Sequence, residues 1–280
     1  MGQGARQGGG GAAGLAASGP ICQRGASMTE PIPTSQEATL FAGRLRLMQL
    51  RSGHRVGTDT VLLSAALNPA QGHVVDAGAG VGCVGLAIAQ RNPALSVTLI
   101  EREPAVADLA RQNIALNTLT SRVELIECDL TKAVDRRAAG LRDGMADALL
   151  TNPPWLDPNE AQVSPDQRRA AAHAHADSQG LEAWMRAMAA LLRPGGRFAL
   201  IHRADALKKC LDVLEGRFGA IEILPLQPRA EQPAHRVILR GIKGSRASLS
   251  LLPPFIIHEG EHFTPQAEAI HKGEALLPGA

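Results

Sequence analysis

The chain has no tyrosine, and its 280 residues include only five phenylalanines and two tryptophans. Aromatics at 2% cannot furnish the row of rings on which a single-strand-binding protein stacks successive bases. A single base swung out of its neighbours needs one ring, so that mode stays open. Cysteine is equally sparse. Cys22, Cys83, Cys128 and Cys210 are scattered with no Cys-x-x-Cys pair, and reduced thiols in a cytoplasmic protein are the expectation. No run approaches the roughly eighteen apolar residues of a membrane span, which excludes insertion by a helix. The net charge of +2 is too small to mark the whole chain as a polyanion binder; any such site is local.

Hydrophobic residues at 45% and charged residues at 20% are ordinary for one sizeable soluble α/β core with appendages. Arginine outnumbers lysine 24 to 5. The planar guanidinium fork suits phosphate, although a coding bias toward Arg and Ala accounts for the same excess. Residues 1 to 27 are Gly, Ala, Gln and Ser with Arg6 and Arg24, a stretch that cannot bury enough apolar surface to order itself. It lacks the apolar core of a secretory signal, and Met28 is a second candidate start. The expected division is a disordered Gly/Ala-rich leader over 1–37, an N-terminal cap over 38–72, the main domain over 73–245 and a C-terminal extension over 246–280.

Within the cap, Leu45, Leu47 and Leu50 alternate with Arg44, Arg46 and Arg51 and predict a short strand pair. Thr58 is placed to cap a helix from Asp59 to Leu67, ended by Asn68-Pro69. From His73 strands and helices alternate: strands at Val74–Asp76, Val97–Glu101, Val123–Glu127, Ala148–Leu150, Arg197–Ile201, Ile221–Leu224 and Arg236–Leu239. Intervening helices run from about Gly82 to Gln90, Pro104 to Asn117, Leu181 to Leu192 and Ala204 to Glu215. Such alternation predicts a mostly parallel sheet covered on both faces.

Asp76-Ala77-Gly78-Ala79-Gly80-Val81-Gly82 lies between a strand and a helix, where glycines let the backbone approach a nucleotide-like ligand. A dinucleotide fingerprint would need glycine at position 83, which is Cys83. Glu101 ends the next strand, where a carboxylate can accept from ribose hydroxyls; a solvated strand-end residue is the plain alternative. Asp129 follows the third strand, with a loop-capping role as its alternative. At the mouth of the fourth strand stands Asn152-Pro153-Pro154-Trp155. Each proline removes a donor and pushes the preceding residue into extended geometry, so the segment is a stiff loop. The Asn152 amide oxygen and a nearby main-chain carbonyl can then face one amino group beside an indole, unless Trp155 merely fills the core.

The series D-x-G-x-G-x-G resembles the S-adenosylmethionine loop of class I methyltransferases. With Glu101, Asp129 and an N-P-P-aromatic motif following in that order, the chain resembles the amino-methyltransferases that act on adenine N6, guanine N2 or a glutamine amide. Gly57-Thr58-Asp59-Thr60-Val61-Leu62-Leu63 and Pro233-Ala234-His235-Arg236-Val237 are similar to stretches of the bacterial tRNA adenine-N6 methyltransferases that modify an anticodon-loop adenosine of a valine tRNA. The resemblance covers about Arg44 to Arg240. It departs at Trp155, where tyrosine is more frequent, and matches only loosely from Arg246 onward.

The resemblance implies an α/β Rossmann-like class I fold with a seven-stranded, mostly parallel sheet in the order 3-2-1-4-5-7-6. It also implies S-adenosylmethionine as cofactor and a methyl placed on adenine N6 in RNA, with tRNA expected. Cofactor contacts fall on Asp76, Gly78, Gly80, Gly82, Glu101, Asp129, Asn152, Thr58 and Asp59. Catalysis falls on Asn152, Pro153, Pro154 and Trp155, and substrate contacts on Trp155, Arg168, Arg169 and Arg55. Arg44, Arg46 and Arg51 are further candidates for phosphate contact. His173-x-His175-x-Asp177 has no further ligands around it, and neither a metal nor a membrane partner is expected. Glutamine-amide methylation of a protein factor and a non-catalytic RNA-binding protein of the same fold remain the alternatives.

Overall fold

The computed structural model describes residues 35–51, 56–153 and 177–280, together with Met1; those from Ser35 onward fall in one compact unit, Thr34–Ala280. Residues 2–34 of the expected leader, Arg55, Pro154, Trp155, His173, His175, Arg168 and Arg169 therefore lie outside the described residues, while its last three residues, Ser35 to Glu37, are strand and not disordered leader.

A hairpin opens this unit. Strands β1 (Ser35–Leu40) and β2 (Leu45–Leu50) pair antiparallel from Ser35↔Leu50 to Leu40↔Leu45. The predicted pair is thus present, with its partner strand earlier than Ala38. Its turn carries positive φ at Phe41, Ala42 and Gly43. Helix α1 (Thr58–Ser64) starts one residue before the expected position, with Gly57 as N-cap and no side-chain cap bond. Thr58 is therefore inside the helix and does not cap it.

Next come β3 (Gly72–Ala77), α2 (Cys83–Arg91), β4 (Leu95–Glu101), α3 (Pro104–Leu116), β5 (Val123–Glu127), α4 (Ala133–Ala138) and β6 (Ala146–Thr151). Helix α5 (Asp177–Leu191), β7 (Leu192–Arg203), α6 (Leu207–Leu214), β8 (Phe218–Gln227) and β9 (Arg236–Lys243) complete the predicted series. The sheet order β5-β4-β3-β6-β7-β9-β8 is the expected 3-2-1-4-5-7-6 when counted from β3. All neighbours run parallel except β9, which is antiparallel to both β7 and β8.

The sheet is wider than the expected seven strands. Two short strands of the C-terminal segment, β10 (Ser250–Leu251) and β11 (Phe255–Ile256), add in parallel to the outer edge of β8. A small hairpin of β12 (His258–Glu259) and β13 (His262–Phe263) and helix α7 (Pro265–His271) follow. Helix α7 contacts α1, so the tail extends the edge of the sheet and braces the cap.

Successive strand residues enter opposite layers, as the two-residue strand period requires. Val74, Leu99, Ala148, Leu150 and Ala199 join Leu62, Leu86, Ile88 and Ile114 on one face. Val75, Ala77, Ile100, Leu149 and Leu200 join Met185, Met188, Leu191 and Leu214 on the other. Burial on both faces is why these strands read as unbroken apolar runs. The Pro194-Gly195-Gly196 turn is a bulge in β7: the pairing jumps from Ala146↔Leu192 to Ala148↔Arg197. Cys83, Cys128 and Cys210 are free thiols, and among the described residues no helix is long and apolar enough to cross a membrane.

One buried side chain ties the cap to the sheet. Asn113 of α3 is wholly buried; its Oδ1 accepts from the Met48 amide at 2.6 Å and its Nδ2 donates to the Met48 and Val81 carbonyls at 2.9 Å. Replacing it by alanine strands three backbone groups. We expect Asn113→Ala to lower the free energy of urea unfolding by about 2–4 kcal/mol; a loss below about 0.5 kcal/mol would show that the hairpin docks without this bridge.

Candidate functional site

The parallel strands end in register. One row across the sheet joins Ile126, Ile100, Ala77 and Thr151, each the Cα partner of the next. The residues that follow this row, Gly78, Glu101 and Asn152, therefore emerge side by side. The chain order reverses between β3 and β6, so helices leave their carboxyl ends toward opposite faces and open a crevice there, the usual ligand position in such sheets. Asp76, Glu101, Asn152 and the glycine loop are gathered at this point, as their motif spacing predicts.

The three glycines of the loop have different reasons to be glycine. All have positive φ: 71° at Gly78, 56° at Gly80 and 90° at Gly82. A Cβ at Gly78 would lie 2.9 Å from Cη2 of Trp184, and one at Gly82 would lie 2.8 Å from Leu99 Cδ1. At Gly80 a Cβ would meet nothing within 4 Å. Gly80 thus faces open space, the side on which a ligand can approach the backbone.

Glu101 is held by main-chain amides. Oε2 accepts from Gly80 N at 2.8 Å, and Oε1 accepts from Arg102 N at 2.7 Å and Glu103 N at 2.9 Å. Of about four lone-pair sites on a carboxylate, these bonds occupy three, leaving room for one further hydroxyl where the sequence suggested two. Asp76 sits deeper, only 2% exposed, and its Oδ2 accepts from Gly85 N at 2.8 Å. It thereby satisfies an otherwise orphaned amide in the first turn of α2, whose N-cap Gly82 offers no side chain. Burial pushes the Asp76 carboxyl up to about 7; the Gly85 amide pulls it down, and the Glu101 charge adds to the rise.

Asp129 lies two residues beyond Glu127, the β5 partner of Glu101. Its Oδ1 accepts from the Thr131 hydroxyl at 2.6 Å and the Thr131 amide at 3.0 Å, and Lys132 Nζ stands 3.2 Å from Oδ2. Burial alone would raise this carboxyl; Thr131 and Lys132 outweigh it and leave it below its ordinary value. The loop-capping role is thus filled, with Oδ2 still able to accept. Asp59 on α1 receives Arg236 Nε at 2.9 Å, a 177-residue link between two of the sequence stretches singled out above. Asn152 is half-buried and Pro153 buried.

Arg44 and Arg46 belong elsewhere. The Arg46 amide donates to Asn117 Oδ1 just beyond the C-terminal end of α3, and α3 begins at the crevice and runs away from it. Both side chains have anionic neighbours, Glu274 at 3.8 Å from Arg44 and Glu37 at 2.7 Å from Arg46. Arg51 Nε donates to the Ser35 carbonyl at 3.3 Å. A cleft of about 630 Å³ lined by Leu224, Leu252, Pro253 and Phe255 follows the β8 edge and contains none of Asp76, Glu101 or Asn152.

Two residues at the crevice were not singled out from sequence. Trp184 of α5 donates its indole N–H to Thr151 Oγ1 at 3.0 Å, and Thr151 donates to the Ala77 carbonyl at 2.7 Å. Trp184 sits among Leu181, Met185 and Met188 at helical spacing, which reads as ordinary core. Its one signal is scarcity, as one of two tryptophans.

Residues 50–228 match the family described as methyltransferase small domain. The chain belongs to that family. The match runs from the last residue of β2 to just beyond β8 and so contains the whole crevice. Within this methyltransferase family, the chain is 34% identical over 159 residues to a Porphyromonas gingivalis protein named tRNA1(Val) (adenine(37)-N6)-methyltransferase, covering 55% of this chain and 60% of that one. A protein of the same name from Shewanella halifaxensis is 35% identical over 152 residues, covering 54% and 58%. The alignments thus span about three fifths of these relatives' length. Among solved structures, a predicted O-methyltransferase from Agrobacterium tumefaciens is 31% identical with a TM-score of 0.65, covering 78% of this chain and 97% of that one. TYW2 of P. horikoshii, solved with MeSAdo, has the same fold at 15% identity, with a TM-score of 0.51 and coverage of 76% and 72%.

The raised Asp76 carboxyl gives a pH signature. Its folded value of about 7 lies above the ordinary 3.8, so the folded state binds the proton more tightly. The stability this contributes is complete below about pH 4 and is lost as pH rises through about 7. Asp76→Asn keeps an acceptor for Gly85 and removes the charge. We expect the variant to gain on the order of 2–4 kcal/mol relative to the native chain between about pH 5 and pH 8, read by urea unfolding; parallel pH profiles for the two proteins would contradict this account of the site.

Proposed function

We propose that the chain transfers the methyl group of S-adenosylmethionine to the exocyclic N6 amine of adenine in RNA, with tRNA as the substrate class. The observation that carries this reading is the single register row that sets the open Gly80 loop, Glu101 and Asn152-Pro153 at the ends of β3, β4 and β6. The names of the aligned relatives support tRNA and adenine.

The pocket suits the cofactor on its own terms. Gly80 leaves backbone open to a ligand, and Glu101 retains an acceptor site for a ribose hydroxyl. Asp129 Oδ2 is available to an adenine amino group, and Asp59, fixed by Arg236, is one of the residues on which the resemblance places cofactor contacts. When bound, S-adenosylmethionine supplies an electrophilic methyl on a sulfonium.

The acceptor is an amine whose lone pair is delocalised into its ring, a poor nucleophile until its hydrogens are drawn out of plane. Asn152 Oδ1 and the Pro153 carbonyl are assigned that grip. Pro153, buried directly after Asn152, restricts the corner, so the loss of freedom is met in folding and not at the moment of reaction. Trp155 is assigned as the ring on which the extruded base stacks, a contact worth about 1–3 kcal/mol. Arg55, Arg168 and Arg169 are assigned to phosphate, a role that requires affinity to fall steeply with salt.

The test is methyl transfer from labelled S-adenosylmethionine to unmodified tRNA, with the product digested to nucleosides and identified by mass spectrometry. N6-methyladenosine is the expected product. A ribose-methylated nucleoside alone would favour the oxygen acceptor suggested by the Agrobacterium protein's description, and labelled glutamine in a protein factor would favour the amide; either refutes the proposal. Asn152→Ala is expected to bind cofactor within about twofold of the native chain while losing at least about a hundredfold in kcat, about 2.7 kcal/mol of barrier. Glu101→Ala is expected to weaken cofactor binding at least about tenfold by calorimetry, roughly 1.4 kcal/mol. Unchanged values would remove either residue from the site.

A further inference from the structure

We propose that Trp184 is a positioning residue for the transfer, acting through Thr151 on the Asn152-Pro153 corner; this rests on the function proposed above. Three contacts run through two side chains, Trp184 and Thr151. The indole N–H donates to Thr151 Oγ1 at 3.0 Å, the Thr151 hydroxyl donates its own proton to the Ala77 carbonyl at 2.7 Å, and the ring edge lies so close to Gly78 that a Cβ there would be 2.9 Å away. Ala77 and Thr151 are the last paired residues of β3 and β6, and Gly78 and Asn152 are the next in each chain.

The geometry gives the relay a direction. A hydroxyl has one proton to donate; with that proton committed to Ala77, its lone pairs face Trp184, whose indole can only donate. Each group thus fixes the orientation of the next. Thr151 is wholly buried, so water does not compete for these bonds. At the strand ends the ladder between β3 and β6 stops, and the two chains are free to splay where donor loop and acceptor corner must keep a fixed separation. The Trp184–Thr151–Ala77 chain continues the cross-strand connection at that place. An indole N–H in the core needs an acceptor whatever the ring does; here that acceptor is a hydroxyl on the last paired residue of β6, itself bonded across to β3.

The sequence signal is correspondingly odd for a core position. Thr151 ends the run Ala148-Leu149-Leu150, where an apolar residue would bury without needing a partner. A hydroxyl there is useful because Trp184 is present, and Trp184 is tolerated against the glycine loop because Gly78 has no side chain.

The experiment uses Trp184→Phe, which keeps a ring but loses the donor, Thr151→Val, which keeps the shape but loses the hydroxyl, the double variant, and Thr151→Ser. Turnover on tRNA and cofactor affinity are measured for each. Each single variant should lose about tenfold or more in kcat while the cofactor Kd and the KM for RNA stay within about threefold. The double variant should be no worse than about twofold below the poorer single, and Thr151→Ser should retain at least half of native kcat. Losses that multiply in the double variant, a loss carried by Kd or KM, or native turnover in Thr151→Val would overturn the proposal.

A second readout stands apart from activity. The two tryptophans give two indole N–H resonances, and the one absent in Trp184→Phe belongs to Trp184. In Thr151→Val it should shift and lose protection from solvent exchange; an unmoved resonance overturns the relay. Should the native chain methylate no RNA, the functional assignment fails by itself, and this resonance decides whether Thr151 holds Trp184.

Discussion

The structure depends on parallel strands that stop at the same height. Ile126, Ile100, Ala77 and Thr151 form one rung, and each strand's next residues turn into the crevice. Parallel pairing requires a crossover between strands, and the crossovers on the two sides of β3 cover opposite faces of the sheet. Among the described residues, the carboxyl ends of β3 and β6 are consequently a place where neither neighbouring helix fills the space between them. Chemistry gathers there because the chain path leaves room, and side chains far apart in sequence are aligned by register with no need for contacts among themselves.

Register sets the height of the site, but its fine shape comes from glycine. Gly82 lets α2 approach Leu99, Gly78 admits Trp184, and Gly80 looks into open space. A motif written as three equivalent glycines is therefore two packing requirements around one position that faces open space. Gly85, two residues into α2, extends the first kind: a Cβ there would stand 2.3 Å from Leu99 Cδ2. Close approach of α2 to β4 also brings the Gly85 amide to Asp76, so helix packing and the placement of the buried carboxylate are one event.

Much of this was legible from the chain. Apolar runs bounded by Gly, Pro and Asn located the seven main strands; their order, 3-2-1-4-5-7-6, came from the resemblance to class I methyltransferases and not from the alternation itself. Strand ends then located Glu101 and Asn152, because a motif at the end of a buried parallel strand must face the crevice. Other features had no local signature. The added strands β10 and β11 are two residues each, too short for a period, and exist because β8 offers an unpaired edge. Helix α4 buries nothing and so has no apolar stripe. Thr58 looked like a cap by residue type, yet Gly57 takes that position in extended geometry. Trp184 reads as core until its hydrogen bond is seen, since periodicity reports which face is buried and is silent on what the polar atom does.

The electrostatics of the donor side follow from how its acids are held. Asp76 is tied by the Gly85 amide and Glu101 by the amides of Gly80, Arg102 and Glu103. The adjacent guanidinium of Arg102 stands 3.3 Å from Glu103. Peptide amides orient a carboxylate without cancelling its charge, whereas an arginine partner would do both. A carboxylate fixed in this way keeps its charge beside the loop, and the Glu101 charge adds to the burial that disfavours ionisation of Asp76. The cationic donor proposed above suits that charge. The corner assigned above to the acceptor, Asn152-Pro153 among the described residues, carries no formal charge, so its amide and carbonyl oxygens suit N–H groups without drawing a cation to that side. In the proposed transfer, charge on one side of the crevice and neutral acceptors on the other set its direction, and the rung shared by Ala77 and Thr151 pairs the two strands that carry them.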